Sequence, residues 1–435
     1  MNDKKKDKQS LEVKYDRPED YLYSLERMGD KLGLENIRDF LEIFDEPHKD
    51  FETILIGGTN GKGSVATMTA NILTKAGYKT GLYISPHLID FEERIQVDRE
   101  KISEDNLWKL IKKVKSELDR IEKEDIKKRP SFFEVLTTLA FLYFSETGID
   151  IAVLEVGLGG RLDATNVTDN FASVITTIGY DHSKYLGSTK EEISYEKAGI
   201  IKENNYFVTE EKNEKLRDYF KEVCEDRNAE YNYALEREYE IKKNPLRVEL
   251  KPYGEISVPG VANWHAENAI TAITLAEGLQ SRNYHIDNDE IVNAIEATVL
   301  PGRMEIIKEK PRIMMDSAHN LTGMQALVKG LKDIDYNRLL LVMGVLKDKD
   351  YKGMADIIGP ECDIAYIGEP VSERKLNSEI LADVFSSHCP SQSYTKGINA
   401  LEEAINEWEG GDLILITGSI YFLGDVRKDG KDRLW

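Results

Sequence analysis

Residues Ile54 to Ser64 read I-L-I-G-G-T-N-G-K-G-S, an apolar run that breaks into glycines and reopens as a helical pattern behind a lysine and a serine. Glycines let backbone N–H groups turn inward around an anion, and a helix N-terminus adds partial positive charge. Lys62 would reach terminal phosphates, and Ser64 would offer its hydroxyl to Mg2+. The general phosphate loop has a longer spacer before its Gly-Lys and carries the hydroxyl directly after the Lys. Here the spacer is short and Gly63 intervenes before Ser64. A strand before the loop, a helix after it and a Lys inside it favour nucleotide binding over a plain glycine turn.

Other chemistry-bearing residues follow apolar runs of strand length. Glu155-Val156-Gly157-Leu158-Gly159-Gly160-Arg161 ends one such run. Ligands of open α/β sheets gather at that edge. A carboxylate there can hold Mg2+, glycines let backbone crowd a ligand, and Arg161 could clamp an anion or merely form a surface ion pair. Asp181-His182 should emerge on the same edge, His182 as a metal ligand or phosphate contact. Ser85-Pro86-His87 follows another strand; Ser85 is a candidate metal or phosphate ligand, and His87 could simply hold the loop. From residue type alone, Lys197 reads as a surface lysine on a helix. Pro301-Gly302-Arg303 and Asp316-Ser317-Ala318-His319-Asn320 stand out farther on, the second at a strand end where Asp, His and Asn could meet a hydroxyl, a phosphate or an attacking group.

The elements that must position these residues divide into two units. The first runs strand (Thr53 to Ile56), helix to Ala76, strand (Thr80 to Ser85), helices over Glu104 to Lys123 and Phe132 to Glu146, then strands over Ile149 to Val156, Ala172 to Ile178 and Tyr206 to Thr209. Continuous apolar strands fit a parallel sheet covered by helices on both faces. Glu236 to Val258 alternates and suggests a small antiparallel patch, followed by helices over Asn263 to Gly278 and Asp287 to Ala297. Pro301-Gly302 suggests a hinge. Beyond it strands at Arg312 to Met315, Arg338 to Met343, Asp363 to Ile367 and Asp412 to Ile416 alternate with helices, without G-x-G-x-x-G. The expected fold is α/β: an N-terminal phosphate-loop ATPase-type domain over 1–298 with a mostly parallel sheet, and a smaller Rossmann-like C-terminal domain over 299–435.

At 435 residues with 41% hydrophobic content the chain can build real cores and is not globally disordered. A net charge of -21 argues against nucleic-acid binding, which needs a basic footprint. Cys224, Cys362 and Cys389 lack paired spacing, which suits a reducing cytoplasm without a disulfide framework. The charged leader has no signal-peptide core, and the longest apolar stretch, Phe132 to Phe144, is interrupted by Glu134. The expectation is a soluble cytoplasmic protein with no membrane partner.

Taken together, Gly58-Thr59-Asn60-Gly61-Lys62-Gly63-Ser64, Ser85-Pro86-His87-Leu88, the E-V-G-L-G-G-R-L-D-A-T-N run from Glu155 to Asn166, Asp181-His182, Glu196 to Ile200, Pro301-Gly302-Arg303 and Asp316 to Asn320 resemble the folylpolyglutamate synthase / dihydrofolate synthase family. That family is a branch of the Mur-type amide ligases. The resemblance runs from about Tyr21 to Asp425. It implies that Thr59 to Lys62 cradle ATP phosphates with Gly63 and Ser64 beside them. It also implies that Ser64, Ser85, Glu155 and His182 serve a pair of magnesium ions with a carbamylated Lys197, which overrides the surface-lysine reading. Asn268, Arg303 and Asp316 match ATP-contacting positions, and His319 a histidine near the reacting groups. A pterin site would involve Gly29, Asp30, Lys31 and Leu32, then Ser131, Phe132, Phe133 and Glu134, and Arg161, Leu162, Asp163 and Ala164. Ser317 stands where the family often has a smaller residue.

The chemistry implied is activation of a folate or dihydropteroate carboxylate by ATP, followed by attack of L-glutamate's amine, in a monomer whose C-terminal domain closes over the cleft. Both family activities together are favoured over either alone. A peptidoglycan Mur enzyme would need a UDP-binding domain before the loop, and only about 56 residues precede Gly57. A non-catalytic nucleotide switch would need the loop but not the downstream metal and Lys197 sites.

Overall fold

The computed structural model describes residues 15–25 and 33–431. An eight-stranded sheet forms the first unit, in the order β4-β3-β2-β5-β1-β6-β7-β8. Its strands are β1 (Glu52–Gly57), β2 (Thr80–Tyr83), β3 (Ile95–Val97), β4 (Glu100–Lys101), β5 (Ile151–Glu155), β6 (Ala172–Ile175), β7 (Tyr206–Thr209) and β8 (Glu230–Tyr233). From β2 across to β8 the neighbours are parallel; β3 and β4 return antiparallel. Period-two alternation sends Leu55 into one core and Ile54 and Ile56 into the other, so both faces of the sheet are covered. The Lys62–Lys75 helix buries Val65, Met68 and Ile72 on one face, while Phe132–Thr147, opened by the reciprocal Ser131–Glu134 cap, fills the other.

The alternating region is a three-stranded antiparallel sheet, β9 (Tyr239–Lys242), β10 (Arg247–Leu250) and β11 (Gly254–Ser257), as its pattern suggests. The second unit holds β12 (Glu305–Glu309), β13 (Arg312–Met315), β14 (Leu339–Met343), β15 (Ile364–Ile367), β16 (Ser391–Ser393) and β17 (Leu413–Thr417). Its order is β12-β13-β17-β14-β15-β16, parallel except for β12.

Strands that sequence pattern did not reveal are β3, β4, β8, β12 and β16. Four of them, β4, β8, β12 and β16, are the outermost strands of the two large sheets. An edge strand is half solvated, so it needs no apolar run and leaves no periodic signal. The helices Glu214–Asp226 and Ile420–Gly430 also went unassigned from sequence. Among the described residues no helix is long and apolar enough to cross a membrane.

The two units meet through the Ser85–Leu88 loop. Leu88 is buried in the second unit's core beside Ile313, Met315 and Leu423. A Cβ on Gly424 would lie 2.0 Å from the Leu88 carbonyl oxygen. The joint near Pro301 is tied down as well: His265, at the start of the Asn263–Ser281 helix, bonds the Arg303 carbonyl through Nε2 at 2.9 Å.

Candidate active site

β1 lies centrally, with β2 and β5 to one side and β6 to the other, so the loop leaving its C-terminal end opens into the crevice of the sheet. Gly58 has φ 136°, and a Cβ there would lie 1.8 Å from Thr176 Oγ1; only glycine fits. The loop is anchored to the end of β6. The Thr59 N–H donates to the Thr177 carbonyl (2.7 Å), Thr59 Oγ1 donates to the Gly179 carbonyl (3.1 Å), and Thr176 Oγ1 donates to the Asn60 carbonyl (2.6 Å). Thr59 and Asn60 therefore act here as anchors. Donors facing an anion are those of the first helical turn, whose N–H groups have no intrahelical partner.

Two lysines share the Gly58 carbonyl. Lys62 Nζ donates to Gly58 and Thr59 oxygens at 3.2 Å, and Lys197 Nζ to Gly58 at 2.7 Å. Lys197 is on a helix, Lys190–Ala198, but is only 4% exposed; the surface reading from residue type fails because the helix packs directly on the Glu155–Arg161 turn. A Cβ on Gly160 would sit 2.8 Å from the Glu196 carbonyl oxygen, so that glycine permits the approach. Burial, then neighbouring Lys62, pulls the Lys197 amine down to about 7. Near neutrality a large fraction is free amine.

Glu155, at the end of β5, is buried beside the loop. Its Oε2 accepts from the Ser85 N–H at 2.9 Å, and a Cβ on Gly63 would lie 3.4 Å from the same oxygen. Burial raises its pKa while Lys62 opposes the rise. A carboxylate enclosed between a lysine and a helix N-terminus is suited to a hard cation. The His182 side chain is half exposed; partial desolvation lowers its pKa, with Lys349 and Lys62 adding to the fall and Asp181 opposing it. A neutral imidazole can ligate a metal. Among the described residues no three His, Cys, Asp or Glu side chains form a metal cluster. His87 holds its loop, accepting from Arg94 Nε at 2.9 Å.

From the second unit, Asp316 ends β13 with both oxygens engaged, by the Met304 N–H at 3.0 Å and the Ala318 N–H at 2.9 Å. Burial lifts its pKa to about 6, and Arg303 limits the rise. The His319 ring, Nδ1 2.8 Å from the Ser317 carbonyl, is held down to about 4 by burial and Lys349, hence neutral. Asp181 of the first unit meets this group. It accepts from Asn320 Nδ2 at 2.9 Å, with His319 Nε2 and Lys349 Nζ each 4.0 Å away. Sequence reading gave His182 a role and left Asp181 and Lys349 without one. Their signal was position alone, polar residues just beyond a strand.

Below the loop, a Cβ on Gly61 would lie 2.5 Å from Asn268 Oδ1, and Asn268 Nδ2 is buried without a protein partner. An orphaned buried amide beside a phosphate loop fits a nucleotide contact. Next to it, Glu210 is pushed up to about 8 by burial.

Between the units lies a cleft of about 340 Å3 that receives Ser85, Ser131 to Glu134, Leu162 to Ala164 and His182 from one side and His319 and Lys349 from the other. Glu134 and Asp163 line it with carboxylates already engaged: Glu134 by the Ser131 N–H at 2.7 Å, Asp163 by the Leu158 N–H at 2.7 Å. Arg161 is not brought to this cleft. It pairs with Glu196 at 2.8 Å and lies over the Tyr195 ring. Arg94 and Arg374, which sequence reading missed, do line it. Gly29 to Leu32 lie outside the described residues.

A phosphate loop at a strand end of one open sheet, with Asp316 and His319 at a strand end of a second sheet that meets the first unit through Asp181, defines a two-unit nucleotide-dependent enzyme. Residues 56–276 match the Mur ligase middle domain, and residues 302–420 match the Mur ligase glutamate ligase domain. The chain is 30% identical to dihydrofolate synthase/folylpolyglutamate synthase of Bacillus subtilis, over 95% of this chain and 98% of that protein. It is 33% identical to a probable bifunctional folylpolyglutamate synthase/dihydropteroate synthase of Halobacterium salinarum, over 95% of this chain, but spans only 51% of that longer relative. The crystal structure of folylpolyglutamate synthase from Thermotoga maritima superposes with a TM-score of 0.82 at 33% identity, covering 94% of each chain. A bifunctional folylpolyglutamate synthase/dihydrofolate synthase with Mn, AMPPNP and L-glutamate bound superposes at 0.80 and 27% identity, over 95% of this chain and 98% of that one. The chain belongs to the folylpolyglutamate synthase / dihydrofolate synthase family of the Mur ligases.

Proposed function

We propose that this chain is an ATP-dependent ligase that joins L-glutamate to a folate carboxylate and to dihydropteroate through an acyl phosphate. The observation that carries the reading is convergence. Lys62, Lys197 and Glu155 meet at the phosphate loop, and Arg303, which lies beside Asp316 and His319, approaches Glu155 from the second unit. A carboxylate is a poor electrophile. Its oxygen attacks the γ-phosphorus, the bond to ADP breaks, and the glutamate amine then displaces phosphate to leave an amide.

First-turn N–H groups and Lys62 neutralise charge as it moves through the phosphates, and the two units hold the reactants in line. Bound Mg2+ would supply further charge neutralisation on the phosphate oxygens. Ser64, Ser85, Glu155, His182 and a carbamylated Lys197 would hold a pair of such ions. Carbamylation needs a neutral amine to attack CO2, and a buried lysine held at about 7 provides one. Asn268, Arg303 and Asp316 would contact the nucleotide. Neutral His319, a weak base when held near 4, could accept a hydrogen bond from the attacking glutamate amine.

We place the domain boundary at 298/299, with closure about Pro301 excluding water from the acyl phosphate, and the working form as a cytoplasmic monomer. The test is incubation of purified protein with ATP, Mg2+, L-glutamate and either dihydropteroate or tetrahydrofolate, followed by product mass. Growth by glutamate units on both acceptors is expected. Growth on one alone would reduce the reading to a single activity, and ADP release without a ligated product would overturn it.

A further inference from the structure

Glu210 directly follows β7, at the same sheet edge as the phosphate loop, and is only 4% exposed. Its neighbours leave it without a countercharge. Lys212 is spent on Glu267 at 2.6 Å, and Glu211 uses both oxygens on the Ile178 and Asn213 N–H groups, at 2.6 and 2.8 Å. Among the described residues no lysine or arginine pairs with Glu210. The hydrogen bonds fit a neutral acid. Thr271 Oγ1 lies 2.7 Å from Glu210 Oε2 and 2.9 Å from the Glu267 carbonyl, and a hydroxyl has one proton for two acceptors. With that proton on the backbone carbonyl, a Glu210 Oε2–H donating to Thr271 Oγ1 completes the chain and satisfies all three oxygens. Burial agrees, lifting the Glu210 pKa to about 8; Thr271 and Lys212 oppose the rise, and the Glu267 and Glu211 charges add to it.

The other oxygen faces the phosphate loop. A Cβ on Gly61 would lie 3.4 Å from Glu210 Oε1 and 2.5 Å from Asn268 Oδ1, so both side chains press on the same glycine. Gly61 is the N-cap of the Lys62–Lys75 helix, where the positive end of the helix dipole lies. Asn268 and Thr271 stand three apart on the Asn263–Ser281 helix and share a face, so the bond to Thr271 also braces the turn that carries Asn268. A carboxylate behind Gly61 would neutralise the helix end that a phosphate needs; the neutral acid leaves it free. We propose that Glu210 is a positioning residue for the nucleotide: as the neutral acid it braces Asn268 and Gly61, and its ionisation weakens binding of a nucleoside triphosphate. The inference rests on reading the loop as an ATP site. By linkage, bound triphosphate tightens the hold of Glu210 on its proton.

The experiment measures the Kd of full-length protein for ATP with Mg2+ by calorimetry at pH 7 and pH 9. Glu210 ionises as pH rises through about 8, so the parent's Kd should increase about tenfold over that span. Glu210→Gln keeps a donor for Thr271 and an oxygen toward Gly61 but cannot ionise, and its Kd should change by less than about threefold. Lys197 titrates in the same range in both proteins, so its share cancels in the comparison. An infrared difference spectrum, parent minus Glu210→Gln at pH 7, should carry the C=O band of a protonated carboxylic acid. Glu210→Ala removes the brace and should raise KM for ATP by a larger factor than it lowers kcat. Parallel pH dependence in parent and Glu210→Gln, a carboxylate band in place of the acid band, or a loss of melting temperature in Glu210→Ala with KM unmoved would overturn the proposal and leave the ATP site standing. A parent that binds no ATP at either pH would bring down the ATP reading and the proposal together.

Discussion

At the end of β1 the large unit presents a glycine-rich turn whose work is done by backbone N–H groups and two lysines held over one carbonyl. At the end of β13 the small unit presents Asp316 to Asn320, where side chains make the contacts. Both lie at the C-terminal edge of an open sheet. The first turn is rigid because it is stapled to β6 by Thr59 and Thr176. The second is adjustable on the proposed closure, and it meets the first unit through the Asn320–Asp181 hydrogen bond. The contrast teaches a division of labour. On the proposed reading, the phosphate end is held by parts that need not move, and the glutamate end is built on the unit that would close over the cleft.

Removing a lysine from the rigid side should do the most damage. Lys62→Ala is expected to lower ligation on the order of a thousandfold while leaving the circular dichroism spectrum intact. Normal turnover in that variant would remove the phosphate-loop assignment. Lys197→Ala should cost roughly a hundredfold or more, and added short carboxylates should restore part of it. Full activity without the additive would rule out a carbamate there.

On the adjustable side, His319→Ala should reduce kcat by about a hundredfold at nearly unchanged KM for ATP, measured by steady-state kinetics. An equal rise in KM would recast the residue as a nucleotide contact. Asp181→Ala removes one charged hydrogen bond between the units, worth roughly 1.5 kcal/mol, and should slow turnover about tenfold. Unaltered kcat would show that closure does not depend on Asp181.

The joint between the units supplies an effect in stability and not in rate. His265 is fully buried, with its ring nitrogens facing Ala262 and the Arg303 carbonyl. Burial lowers its pKa from 6.5 to about 4. The folded state therefore prefers the neutral ring. Its contribution is complete above pH 6.5 and is lost as pH falls through 4, a total of about 3 kcal/mol at most. Thermal melts from pH 7 to pH 4 should show a steeper loss in the parent than in His265→Asn. Identical slopes would contradict the assignment.

Much of the candidate site was legible because its residues are of chemically distinctive types and sit at strand ends. Gly57 to Ser64, Glu155, His182 and Asp316 to Asn320 each follow an apolar run, and the fold places each of those runs in one of the two sheets. The edge strands were not legible, since β4 and β16 carry no buried face to impose a pattern. Arg161 reads as an anion clamp by type, yet its nearest partner is Glu196, contributed by a helix that begins far along the chain. Lys349 and Arg374 escaped notice because nothing local distinguishes a cleft lysine or arginine from a surface one.

Local physics determined that strands end in glycines and carboxylates, that helices begin behind them, and that a phosphate loop and two α/β units result; those properties depend on residues within a few positions of one another. Only the tertiary structure decided the protonation of the groups involved. Lys197 becomes a near-neutral amine because a helix buries it against Gly58 and Lys62, and His319 stays uncharged because the second unit encloses it beside Lys349. Desolvation and Coulomb interactions sum over everything nearby in space, and neighbours in space are what the order of residues does not state.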